Sequence, residues 1–157
     1  MLKIMKTANN KYSYKCIIFN KTIDEWVQDA HQYNCKQNNW KFFPLKQGGF
    51  GYDNLVLSLM KPLKEIEKDK NILKKRNKIA ELVHDGWCEN YIYWRDNSPF
   101  NTNTAYTKPS KPLNDERRNN CANTKFEDLP QEEKDKDLIF ANFIIDKLKN
   151  LDEKCNQ

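Results

Sequence analysis

His31 and His84 are the only histidines in the chain, and each is followed four residues later by a cysteine, Cys35 and Cys88. On a helix, residues four apart share a face, so each pair could present two soft metal ligands. Each copy offers only those two, and no metal centre is expected. The ordinary reading of the cysteines is a small buried thiol against a neighbouring helix. The histidines titrate near neutrality and could contact a ligand phosphate; beside apolar helix residues, a hydrogen-bonded structural role competes with that. Trp40, Trp87 and Trp94 could stack on a base, a contact that contributes roughly 1–3 kcal/mol per base in single-strand binders. The competing reading is core. Trp94, preceded by Tyr93 and leading into a long polar segment, is the foremost stacking candidate. In that segment Lys108, Lys111, Arg117 and Arg118 accompany Thr102, Thr104, Thr107 and Ser110. They could clamp a phosphate, form a segment whose phosphorylation alters docking, or be a basic loop with no specific ligand.

Catalytic signatures are sparse. No serine or cysteine lies in a recognisable nucleophile elbow, and no Walker-type glycine loop or paired-carboxylate signature is present. Gly48-Gly-Phe-Gly51 lacks the flanking strand and helix of a nucleotide fingerprint. An enzyme and a bound cofactor are therefore not expected.

The elements that must position these groups are mostly helical. Thr22-Ile-Asp-Glu25 is a capping box, and Ile23, Trp26, Val27 and Ala30 fall on one face, which predicts a helix over about 23–37. Tyr12 to Phe19 suits a strand or extended lead-in. Trp40 to Tyr52, with three glycines, reads as a short hairpin or tight loop. Pro62 fits the first turn of the next helix. Ile66, Leu73, Ala80 and Trp87 then recur every seven residues, leaving open one long helix into His84 or two helices broken near Asn77. After Trp94 come roughly thirty polar residues, a length that usually means a functional or mobile loop. Asp128 caps the last helix and Pro130 starts it. Leu138, Ala141, Ile145 and Leu148 line one face, and Phe140, Phe143, Ile144 and Leu151 widen it.

At 157 residues, with 38% apolar and 12% aromatic side chains, the chain is expected to form a single compact domain with a small aromatic-rich core. The net charge of +5 arises from interspersed lysines and acids without a basic stripe, so nucleic acid is not the expected partner. No stretch approaches the roughly 18 apolar residues of a membrane span, and Met1-Leu-Lys-Ile-Met is too short for a signal peptide. The five cysteines form neither a disulfide framework nor a zinc signature. A soluble, intracellular protein is expected. The preference for lysine over arginine and the abundant asparagine fit an AT-rich genome, such as a parasite's or a large DNA virus's.

Two stretches are written twice. Leu63 to Leu73 returns as Leu129 to Ile139, and Ala30-His31-Gln-Tyr-Asn-Cys35 is echoed by Val83-His84-Asp-Gly-Trp-Cys88. The second half resembles a ryanodine-receptor repeat. The resemblance rests on His84-Asp-Gly-Trp87, on Tyr93-Trp94 where the family has a Gly-Trp-x-Tyr-Gly turn, and on Leu129-Pro-Gln-Glu-Glu-Lys134-Asp-Lys-Asp137, which is similar to its Leu-Pro-x-x-x-Lys-x-x-Asp segment. Residues 22–77 look like a worn first copy and 78–150 like the second. The glycines of the turn are absent here, and Lys108-Pro-Ser-Lys-Pro112 echoes the family's Lys-x-x-Pro element only loosely. The resemblance implies a mainly α fold with short β-hairpins, two α-β-β-α half-repeats packed about a pseudo-twofold axis. It implies a noncatalytic binding or regulatory module for a nucleotide or other phosphorylated small molecule. The expected ligand-binding residues are His84, Trp87, Tyr93, Trp94, Lys108, Lys111, Arg117 and Arg118, with Lys134 and Asp137 fixing the loop. The alternative is a protein-interaction or virion-associated module without a small ligand.

Overall fold

The computed structural model describes residues 12–98, 100 and 112–155, with side chains as far as Lys149. Lys108, Lys111 and the hydroxyl residues Thr102, Thr104, Thr107 and Ser110 lie outside the described residues. The fold is mainly α, as expected, with one small antiparallel hairpin among the described residues; that hairpin precedes the first helix, so residues 22–77 do not follow the α-β-β-α order expected of a half-repeat. The hairpin pairs β1 (Ile17–Ile18) with β2 (Lys21–Thr22) through Phe19 and Asn20, both at positive φ (50° and 62°), the backbone of a tight two-residue hairpin turn. Helix α1 (Ile23–Gln37) follows at once. Thr22 Oγ1 accepts from the Glu25 amide at 3.1 Å, and Glu25 accepts from the Thr22 amide at 3.2 Å. Replacing Thr22 by Ala should cost about 1 kcal/mol in denaturant unfolding, with a Ser replacement largely restoring it.

Between α1 and the next helix there is no hairpin. Gln28 holds the loop by donating to the Leu45 carbonyl at 2.8 Å and accepting from the Leu45 amide at 3.0 Å. Gly48 turns the chain at φ 87°. Helix α2 (Phe50–Lys68) begins there, well before Pro62, which lies in its interior. This helix is buried on most sides from Phe50 to Leu63, with most of its charged residues gathered toward the C-terminal end. Tyr52, Val56, Leu59, Met60, Leu63 and Ile66 are buried in the main core, and Leu55 and Leu57 are buried beside them, so α2 is the central helix.

A short 3-10 segment, Lys70–Lys74, separates α2 from α3 (Arg76–Asn97). Asp69 caps it, accepting from the Asn71 amide at 3.0 Å. Two helices are therefore present, but the break lies at 69–75, ahead of the expected Asn77, which falls in the first turn of α3. α2 and α3 approach closely at Gly86, where an added Cβ would lie 2.7 Å from Ser58 Cα and still closer to the Leu57 carbonyl.

The polar stretch after Trp94 carries structure of its own. Phe100 and Pro112 form an antiparallel bridge, Leu113 is fully buried, and helix α4 (Glu116–Ala122) and a 3-10 turn, Phe126–Asp128, follow. Tyr91 Oη donates to the Leu113 carbonyl at 2.9 Å, fastening this segment to α3. Asp128 belongs to the 3-10 turn and is not the cap of the last helix. The Pro130 carbonyl accepts the first helical bonds, from Glu133 and Lys134 at 3.0 Å, and α5 runs Gln131–Cys155. α5 buries Ala141, Phe143, Ile144 and Leu148 against α1, α2 and α3.

The doubled segments differ in place. Leu63 to Lys68 ends α2, whereas Leu129 precedes α5. The histidine echo, in contrast, is matched in detail.

Candidate functional site

Both histidines are buried on their helices; His31 is fixed by the loop that follows α1 and His84 by the turn after α4. His31 Nε2 donates to the Phe43 carbonyl at 2.9 Å, and His84 Nε2 donates to the Thr124 carbonyl at 2.8 Å. The partner cysteines lie alongside, with Sγ 3.7 Å from Nε2 for Cys35 and 3.4 Å for Cys88. A carbonyl can only accept, so Nε2 carries a proton in both rings.

Their electrostatics diverge. Burial lowers the pKa of His31, and the Phe43 carbonyl only partly offsets this. Burial also opposes charge on His84. There the Asp137 carboxylate, 3.5 Å from Nδ1, together with Cys88 and the Thr124 carbonyl, outweighs it and raises the imidazole to about 11. Burial pushes the Asp137 carboxyl up and His84 pulls it back, and we read the pair as ionised at neutral pH. His84 is thus a fixed cation and His31 a neutral donor. Asp137 reaches the loop through His84, while Lys134 lies over the Phe126 ring, 6.0 Å from its centroid.

Cys88, His84 and Asp137 have the residue types of a nucleophile, a base and its orienting acid. Both imidazole nitrogens of His84 are already committed as donors, one to Thr124 and one to Asp137. Among the described residues, no group of three or more His, Cys, Asp or Glu side chains could hold a metal ion.

The two histidines open onto one cavity of about 390 Å³. Its walls are unlike. α1, its C-cap Asn38 and α2 contribute His31, Asn34, Asn38, Asn54 and Ser58, an amide- and hydroxyl-bearing side. α3, α4 and α5 contribute His84, Trp87, Arg117, Glu133, Lys136 and Asp137, and Leu55, Leu129 and Phe140 supply apolar surface. At the cavity, Arg117 Nη1 donates to Glu133 Oε1 at 2.9 Å, and Lys136 Nζ reaches Glu133 Oε2 at 3.2 Å. Burial alone would raise the Glu133 carboxyl, but Lys136 and Arg117 bring it below the ordinary carboxylate range.

The expected site residues divide. His84, Trp87 and Arg117 line the cavity together. Trp87 is stacked between neighbours on its own helix, Tyr91 at 5.1 Å and His84 at 6.1 Å, with interplanar angles of 6° and 8°, so its faces are covered. Trp94, the foremost stacking candidate, is a core residue instead. It is 4% exposed, its Nε1 donates to Asp53 at 3.3 Å, and Phe50 packs edge-on to it. Tyr93 packs against the same small cluster and does not line the cavity. Arg118 pairs with Asp115 at 2.6 Å, at the start of α4 and away from the cavity. Lys108 and Lys111 lie outside the described residues. Trp40, in contrast, lines the cavity with 56% of its surface exposed, and Lys136 and Glu133 join it. Trp40 was one of the three stacking candidates in the sequence; for Lys136 and Glu133, a charged helix face hid the signal.

The class that fold and site define is a mainly α protein with a cavity between its histidine helices. Comparisons with family models, with curated proteins and with solved structures return no significant match. No helix among the described residues is long and apolar enough to cross a membrane.

Proposed function

We propose that this protein is a noncatalytic binding module whose cavity takes a planar, anionic small molecule of nucleotide type. One observation carries the reading: His31 and His84 converge on a single cavity that also holds Arg117, Lys136 and the exposed ring of Trp40. The cavity, of about 390 Å³, falls within the roughly 300–1,000 Å³ range of ligand sites and combines apolar walls with a few polar groups, as such sites do. Trp40 is the stacking surface, the asparagines are hydrogen-bonding partners for a ring edge, and Arg117 with Lys136 meets the phosphate. The paired histidine–carbonyl bonds support an internal repeat, with residues 22–77 and 78–150 as the copies, and the ryanodine-receptor-repeat resemblance is part of the same proposal. An intracellular setting, host cytoplasm or virion for a viral source, goes with that reading.

A thermal-shift panel of mononucleotides, cyclic nucleotides and short oligonucleotides tests the proposal. A ligand at 100 times its dissociation constant should stabilise the fold by about 2.7 kcal/mol. Trp40→Ala and Arg117→Gln should each abolish most of that shift while leaving the circular dichroism spectrum unchanged. A panel with no shift would remove the small-ligand reading.

The second reading, a docking surface for a protein partner, draws on exposed Trp40 and Phe43, 56% and 46% accessible in the same loop. In that case the panel is silent.

A further inference from the structure

We propose that Glu133 acts as a charge filter, so that the cavity prefers a singly charged planar anion, a phosphodiester nucleotide, over phosphomonoesters and polyphosphates. The inference rests on the proposed binding of an anionic ligand at this site and deepens it by naming the ligand's charge.

Two cations converge on one carboxylate, Arg117 on Oε1 at 2.9 Å and Lys136 on Oε2 at 3.2 Å. The Glu133 side chain is 17% exposed, against 55% for each cation, so the carboxylate sits behind and the cations keep open flanks. Charge on the cavity wall then sums simply. Arg117, Lys136 and His84 are positive and Glu133 and Asp137 negative, three against two, while burial keeps His31 neutral. The surplus is one positive charge.

A phosphodiester carries one negative charge, whereas a phosphomonoester carries about 1.5 to 2 near neutrality because its second pKa is about 6. A single charge completes the balance. Any further ligand charge meets Glu133 itself, held ionised by the two cations it partners. Like charges within a few ångströms repel strongly in a partly buried site.

The test titrates the full chain with 3′,5′-cyclic AMP, AMP and ATP by calorimetry, in wild type and Glu133→Gln. Wild type should bind the cyclic nucleotide at least tenfold more tightly than AMP, with ATP weakest. Glu133→Gln should tighten AMP and ATP about tenfold more than it tightens the cyclic nucleotide, erasing the gap. Glutamine keeps the length and helix preference of the residue, and melting curves check the fold. Lys136→Gln should weaken all three without changing their order; unchanged affinities there would overturn the placement of the anion. An identical ranking in wild type and Glu133→Gln overturns the filter and leaves nucleotide binding standing. No binding of any of the three, to either protein, overturns both.

Discussion

Gly86→Ala should destabilise the protein by about 3 kcal/mol, although alanine in a helix interior is ordinarily better than glycine by roughly 1 kcal/mol. The reason is local. The new Cβ would meet the Leu57 carbonyl and lie 2.7 Å from Ser58 Cα, both of them backbone of the central helix. A flexible side chain could swing aside; a helix backbone cannot. Relief requires α3 to move away from α2, which opens packing around Leu59 and Ala80 and shifts the wall that carries His84. For a chain of this size the melting temperature should fall by roughly 6–12 °C, a shift of about 2–4 °C for each kcal/mol. A variant that melts at or above wild type would show that α2 and α3 are not in contact at Gly86.

Breaking the His84–Asp137 pair should have an effect of similar size. Removing one member of a buried pair typically costs about 3–5 kcal/mol, because the other is left uncompensated, and Asp137→Asn does so with little change of shape. The pH dependence gives the sharper readout. The His84 pKa is raised from 6.5 to about 11 in the folded protein. Its contribution is therefore complete below about pH 6.5 and is lost as pH rises toward 11. Over that window wild-type stability should fall progressively as this group loses its proton. The groups facing it are Asp137, Cys88 and, through Asp137, Glu133. His31 has the opposite sign: its pKa is lowered, so its contribution is present above the unfolded value and lost on acidification. Asp137→Asn should flatten the alkaline limb of the stability profile, and His31→Gln should act only on the acid limb. Parallel alkaline limbs for wild type and Asp137→Asn would contradict an ionised pair.

Legibility in the sequence followed locality. Helix α1 begins at Ile23 because Thr22 and Glu25 satisfy each other's backbone amides within one turn, and neighbours in sequence suffice to see that. The start of α2 was hidden, because Gly48, Gly49 and Gly51 signal a turn while the third already lies inside a helix. Tertiary burial of a helix enclosed on most sides overrode the local preference of both Gly51 and Pro62. The 3-10 break is written in Asp69, a side-chain cap outside any heptad count.

At the site, His84 and Trp87 were legible as candidates on one helix, and the structure stacks their rings, with Tyr91 on the other side of Trp87 in sequence continuing the stack. Spacing does not reveal what covers the next turn. Leu113 and Phe50 close over Trp94, contacts from segments 19 and 44 residues away in the chain. Trp40, Glu133 and Lys136 come together only when α5 docks beside the loop after α1, and no local pattern encodes that meeting.

The most direct measurement is a ¹H–¹⁵N NMR titration with 3′,5′-cyclic AMP, following the tryptophan indole and histidine imidazole signals. Trp40, which lines the cavity with 56% of its surface exposed, should shift saturably together with His31. Trp26 and Trp94, whose indole nitrogens donate to the Ile18 carbonyl and to Asp53 in the core, should hold their positions. Saturable shifts centred on Trp94, or no saturable shift at Trp40, would contradict a ligand site between the two histidine helices.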